Sequence, residues 1–192
     1  PVNFAVTLVG KGADRQEITQ QLPFGNMQGF EGYVFIPYTS LTDGAHSSND
    51  PRDLLASTGW NIEISYYKWD AADINKEYFF DQIGYYSDID SYIALSEEEH
   101  INAEYTVNGG SVSGVTVTGG ADIQIADAPD ATKLGDAIGA TILNHEDKYS
   151  GDGWIQIPAD VADTDFDFSA TKGIAMYAKI PDSVQNSDFR VR

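Results

Sequence analysis

The segment WNIEISYYKW at residues 60–69 alternates so regularly that an extended strand with one face turned to a core accommodates it best. Strand side chains point alternately to opposite faces. Trp60, Ile62, Ile64 and Tyr66 therefore share one face, and Glu63, Ser65, Tyr67 and Trp69 share the other. The first set suits a packed interior. The second offers two large rings and a carboxylate to the opposite side. Ten of the 23 aromatic residues lie between Trp60 and Tyr92. Aromatic residues also fill ordinary strands, so the second set has two readings. It is either a flat platform for a ligand or a surface under a neighbouring loop.

Strand signals run through the rest of the chain. Phe4, Val6 and Leu8 alternate with small or polar residues. Further candidates lie at 33–38, 78–86, 111–118, 121–125, 137–143, 154–157, 174–180 and 189–192, separated by Gly, Asn, Asp and Ser clusters. In the segment 174–180, Ile174, Met176, Ala178 and Ile180 face one way, and Tyr177 and Lys179 the other. Helical signals are few: DPRDLLAS at 50–57, a glycine-interrupted stretch at 130–140, and a turn within SEEEHI at 96–101. Many short strands with such punctuation predict an all-β chain, a sandwich or a barrel; the expectation is a two-layer antiparallel β-sandwich with few short helical turns. At 192 residues one domain is expected.

Eleven Lys and Arg against 30 Asp and Glu give a net charge of -19. Such a chain repels phosphate backbones and anionic headgroups, so neither nucleic acid nor a membrane surface is expected as a partner. Neutral polysaccharide and divalent cations are compatible with it. There is no cysteine, which excludes disulfides and thiolate metal sites and leans towards an extracellular setting. Pro1 opens the chain without a signal-peptide pattern, so a mature segment or an excised fragment is expected.

Several segments echo one another. Phe4 and Val6 match Phe189 and Val191 in spacing, and GFEGYVFIPYTSLTD from Gly29 parallels SGDGWIQIPADVADTD from Ser150. In both long segments Ile-Pro is expected to end a strand at a sheet edge. The run GWIQIPADVADTDFDFSATKGIAMYAKIP, with Phe168, Ser169, Lys172, Gly173 and Ile174, resembles the early part of jelly-roll carbohydrate-binding modules. Those modules belong to secreted clostridial and gut-bacterial glycan-degrading proteins. GFEGYVFIPYTSL, WNIEISYY and YFFDQIGYY (Phe79, Phe80, Asp81, Gln82, Ile83) resemble the later part of the same modules. The order is reversed here, so the chain looks circularly shifted. It reads as a single sandwich over 1–192, or alternatively as halves of adjacent repeats at 1–95 and 101–192. The resemblance implies a jelly-roll-like fold on the bacterial cell surface and a structural Ca2+ near Asp81. Calcium takes about six to eight oxygens, and Asp122, Asp127, Asp130 and Asp147 lie in segments able to add some. The pair Asp88 and Asp90 in SDIDS lacks the glycine and the closing Glu of an EF-hand loop.

A pyranose stacks its C–H face on an aromatic ring and offers its hydroxyl rim to polar groups. The expected sugar contacts are Trp69, Tyr67, Tyr177 and Glu63. Trp154, following Gly153 at a strand start, is expected in the core. Catalysis has little support. Glycosidic hydrolysis needs two carboxylates about 5–9 Å apart, and with so many acids some pair meets that distance by chance. His46, His100 and His145 show no metal-ligand spacing, and neither GxSxG nor HExxH occurs. The expectation is a non-catalytic polysaccharide-binding module. The alternative is a structural repeat, adhesin or docking module partnered by a neighbouring repeat of the same protein.

Overall fold

The computed structural model describes residues 2–10, 17–24, 29–38, 60–67, 74–87, 94–96, 105–119, 123–143, 153–159, 165–182 and 188–190. Among them the chain is all-β. The strands are β1 (Val2–Gly10), β2 (Glu17–Phe24), β3 (Glu31–Pro37), β4 (Trp60–Tyr67), β5 (Glu77–Tyr86), β6 (Ala94–Ser96) and β7 (Tyr105–Asn108). There follow β8 (Thr116–Gly119), β9 (Ile123–Thr132), β10 (Gly135–Ile142), β11 (Gly153–Pro158), β12 (Gly173–Lys179) and β13 (Asp188–Arg190). One sheet runs β2-β1-β4-β11-β8, with β13 also on β4; the other runs β6-β3-β12-β5-β10-β9, with β7 also on β5. The described pairings are antiparallel.

One core joins the two layers. Ile62 and Ile64 of β4 and Ile155 and Ile157 of β11 pack in the same cluster as Val34 and Ile36 of β3, Tyr78 and Phe80 of β5, Ile138 of β10, and Ile174 and Met176 of β12. Ile62, Ile64, Ile155 and Ile157 are fully buried. Each contributes about 1.5–3 kcal/mol by leaving water. The alternation read from β4 and β12 therefore holds, with Ala178 and Ile180 inward and Tyr177 outward. Val191 lies outside the described residues.

Two irregularities shape the second sheet. In β5 the inward residues are Tyr78, Phe80, Ile83 and Tyr85, which requires one extra residue between Phe80 and Ile83. Gln82 absorbs it at φ 46°, and pairing with β12 and β7 shifts register there. A bulge of this kind puts Asp81 on the outer face. In β9, Thr132 pairs with Gly135 but Ala128 pairs with Ala137, so extra residues accumulate on β9. Asp130 takes φ 51°, and its N–H donates to the Asp136 carboxylate at 3.0 Å.

The segment 130–140, read as a weak helix, is instead this β9–β10 hairpin; Gly135 at φ 124° makes its turn. The periodicity favoured strands over 137–143, and the two glycines serve the turn and the strand rather than a helix. Residues 50–57 lie outside the described residues, and of SEEEHI only Ser96 is described, at the end of β6. The predicted strand 111–118 starts at Thr116, because Asp127 and Asn108 hold 110–112 as a turn through bonds to their N–H groups. The strands β2, β6 and β7 went unread. Both Ile-Pro strands are interior rather than edge strands: β3 lies between β6 and β12, and β11 between β4 and β8. Each proline is tolerated because it closes its strand.

The approach to β12 explains the SATKGI run. Asp167 caps a 3-10 turn at Phe168–Ala170 by accepting from the Ser169 N–H at 2.8 Å, and these bonds lower its pKa. The Thr171 hydroxyl donates to the Phe168 carbonyl at 2.7 Å and lies 2.9 Å from the Tyr38 hydroxyl. Gly173 then enters so close to β3 that a Cβ would stand 2.5 Å from the Ile36 carbonyl oxygen.

Candidate functional site

The outer face of the six-stranded sheet carries a transverse polar row. Gln156 stands opposite Glu63 on one side and Thr116 on the other. The Gln156 amide donates to Glu63 Oε1, and the Thr116 hydroxyl donates to Gln156 Oε1 at 3.4 Å. The same register extends the row to Thr7 of β1 and Thr19 of β2. Five neighbouring strands thus bring hydrogen-bonding residue types into one line. Beside it, Trp154 stands opposite Ser65 and Thr118, and Tyr67 falls in the same alternate set as Glu63. Ile155 and Ile157 thus form the core set of β11 and Gln156 belongs to its outward set; the Trp154 side chain, expected in the core, lies outside the described ones. Alternation within WIQIP was the signal for Gln156. Glu63 is only 8% exposed, so its carboxylate is fixed by its amide partner rather than free in solvent.

The outer face of the seven-stranded sheet is different in kind. Tyr33 and Phe35 of β3, Tyr86 of β5 and Ala175 and Tyr177 of β12 form a second buried cluster, with Leu134 packed against it. Tyr33 meets Tyr177 edge-on at 5.2 Å between centroids, and Phe35 meets Tyr86 edge-on at 5.7 Å. Such geometry is the favoured one for ring quadrupoles. The β9–β10 turn is tied across this face: the Lys133 N–H donates to Glu31 Oε1 at 2.8 Å, and Lys179 Nζ donates to the Ala131 carbonyl at 2.7 Å.

Under that turn lies Asp81, 1% exposed. Its carboxylate accepts from the Gln82 N–H at 2.6 Å and from the Thr132 hydroxyl at 3.4 Å. Burial raises its pKa, partly opposed by those bonds. Gly110 (φ 90°) approaches so closely that a Cβ would meet the Asp136 carbonyl oxygen at 2.2 Å and Asp81 Oδ1 at 2.9 Å. The Asp136 carbonyl and Asp81 Oδ1 thus press against Gly110, while the Thr132 hydroxyl bonds to Oδ2; carboxylate, hydroxyl and carbonyl oxygens are donor types a calcium ion takes. Among the described residues no group of three or more His, Cys, Asp and Glu side chains gathers as a metal site. Asp122 and Asp147 lie outside the described residues, and Asp127 and Asp130 are engaged in turns.

Tyr177 is fully buried, and its hydroxyl meets no hydrogen-bond partner. Burial first, then the nearby Glu31 charge and Tyr33, push its pKa up to about 12. Glu31 raises it by its charge and also as a weak hydrogen-bond acceptor, although the pair falls outside strict hydrogen-bond geometry. Burial also raises the pKa values of Tyr33 and Tyr86.

The expected sugar contacts are therefore divided. Glu63 lies on the outer face of the six-stranded sheet, whereas Tyr177 lies on that of the seven-stranded sheet, on the opposite side of the sandwich; the Tyr67 side chain lies outside the described ones. Trp69 lies outside the described residues.

No family model, no curated protein and no solved structure matches the chain.

Proposed function

We propose that the chain is a non-catalytic carbohydrate-binding module of an extracellular bacterial protein, and that the outer face of its six-stranded sheet takes the polysaccharide. One observation carries this reading: the row Thr116–Gln156–Glu63 crosses adjacent strands, with Trp154 two positions along β11 and Tyr67 four positions along β4 in the same alternating sets. A row of fixed donors and acceptors suits the hydroxyl rim of a sugar chain, and neighbouring rings suit its C–H faces. A shallow site of this kind gives modest affinity, because little of the ligand is enclosed. Asp81, with Thr132 and the Asp136 carbonyl, is the proposed seat of a structural calcium ion that ties the β9–β10 turn to the sheet.

The test is a glycan array followed by affinity electrophoresis with the retained polysaccharide. Wild type is expected to bind, and Tyr67→Ala and Trp154→Ala to lose retention while keeping the wild-type far-UV spectrum. Binding unaffected by both changes refutes the assignment of this face. The structural-repeat reading is favoured by a separate observation, the meeting of β1 and β13 beside β4.

A further inference from the structure

Two segments of this chain are matched to one slot beside β4. β1 pairs with β4 from Val6 opposite Ile64 to Gly10 opposite Trp60. Continued in that register, Ala5, Phe4 and Asn3 would stand opposite Ser65, Tyr66 and Tyr67. β13 stands there instead, with Arg190 opposite Ser65, Phe189 opposite Tyr66 and Asp188 opposite Tyr67. Residues 2–5 keep their pairing with β2 on the other side, from Val2 opposite Phe24 to Ala5 opposite Gln21. The two candidates carry one pattern: Asn-Phe-Ala-Val at 3–6 and Asp-Phe-Arg-Val at 188–191. A phenylalanine stands opposite Tyr66 in register whichever segment holds the slot.

We propose that this slot is a strand-exchange site for a second copy of this chain, filled by that copy's 188–190 segment. Residues 3–5 already lie in line as the continuation of β1. They can enter the slot one pair at a time while β13 leaves, so β4 is never stripped of partners. That matters because unpaired backbone groups are the main barrier to opening a strand. The displaced segment then pairs with the same slot on the second copy, and the exchange conserves the contacts of the closed form. The matched pattern holds register, since a one-residue slip would put the phenylalanine on the wrong face. Three paired residues make a short strand, so exchange is reversible. The inference goes beyond carbohydrate binding and stands without it.

The absence of cysteine gives a clean test. Full-length Tyr66→Cys and Phe189→Cys chains are mixed and mildly oxidised, and the disulfide-linked heterodimer is read on a non-reducing gel. Tyr66→Cys mixed with Lys133→Cys, at an exposed turn position, reports random collision. Exchange is expected to give several-fold more heterodimer for 66–189 than for the control, increasing with protein concentration. The pair Ser65→Cys with Arg190→Cys is run in parallel. Adjacent antiparallel pairs differ in Cα separation, and this second pair leaves Phe189 in place should its loss unfold the chain. Heterodimer at control level for both pairs overturns the proposal.

Discussion

Tyr177→Phe tests whether the buried hydroxyl on the outer face of the seven-stranded sheet is a cost to the fold. The ring is fully buried and keeps its edge-on contact with Tyr33 whether or not it carries oxygen. The hydroxyl meets no partner in strict hydrogen-bond geometry, Glu31 offering only a weak acceptor. Leaving such a group buried and unpaired costs about 1–3 kcal/mol relative to its hydration in the unfolded chain. Removing it gives up only the dispersion contacts of one atom, about 0.1–0.2 kcal/mol for each neighbour. The variant is therefore expected to be more stable by about 1–2 kcal/mol. For a chain of this size that is a rise in Tm of about 2–8 °C. Urea unfolding followed by tyrosine fluorescence and far-UV circular dichroism gives the difference directly. Tyr177→Ala is the control, expected to lose about 3–5 kcal/mol because it empties the ring's volume. A loss of about 1 kcal/mol or more in Tyr177→Phe would show that the hydroxyl donates to a partner, with Glu31 the nearest candidate, and the reasoning would fail.

Three further outcomes follow from the geometry. Gly84→Ala places a Cβ 2.3 Å from the Tyr105 carbonyl oxygen and 2.9 Å from the Thr106 Cα, so β7 must move; a loss of about 1–3 kcal/mol is expected in urea unfolding, and an unchanged midpoint contradicts the close approach. Burial makes Asp81 bind its proton more tightly in the folded chain than at the ordinary carboxyl value of 3.8, so the folded state holds more protons than the unfolded state just above that pH. Its contribution is thus full below 3.8 and is lost as pH rises through the raised value. In EDTA, Asp81→Asn should remove that fall in stability, which a pH series of melting curves measures; superimposable profiles for variant and wild type count against it. Chelation of the wild type should lower its Tm if calcium sits at Asp81, and a Tm indifferent to added calcium and to EDTA removes the ion from that place.

Strict alternation made much of the architecture legible. WNIEISYY and IAMYAKI each show which residues turn inward, because a pleated backbone allows only two faces, and Ile62, Ile64, Ile174 and Met176 meet in one core as expected. GWIQIP obeys the same rule, with Ile155 and Ile157 inward and Gln156 outward. The expected sugar contacts were chosen strand by strand. Nothing local to Tyr177 says that its sheet lies on the other side of the sandwich from Glu63, since strand partners are chosen by the whole set of apolar faces.

By itself the sequence determined the class of fold, the inward residues of the long strands, the exclusion of thiol chemistry and a charge hostile to anionic partners. These are consequences of composition and short-range periodicity. Tertiary structure decided which strands neighbour which, and so brought Gln156 to Glu63 across 93 residues of chain. It alone set the bulge at Gln82 that puts Asp81 beneath the β9–β10 turn, and the register that matches residues 3–5 and 188–190 to one slot. Those features depend on pairing between distant segments, where a shift of one residue exchanges the faces of a strand, and local propensity has no hold on that choice.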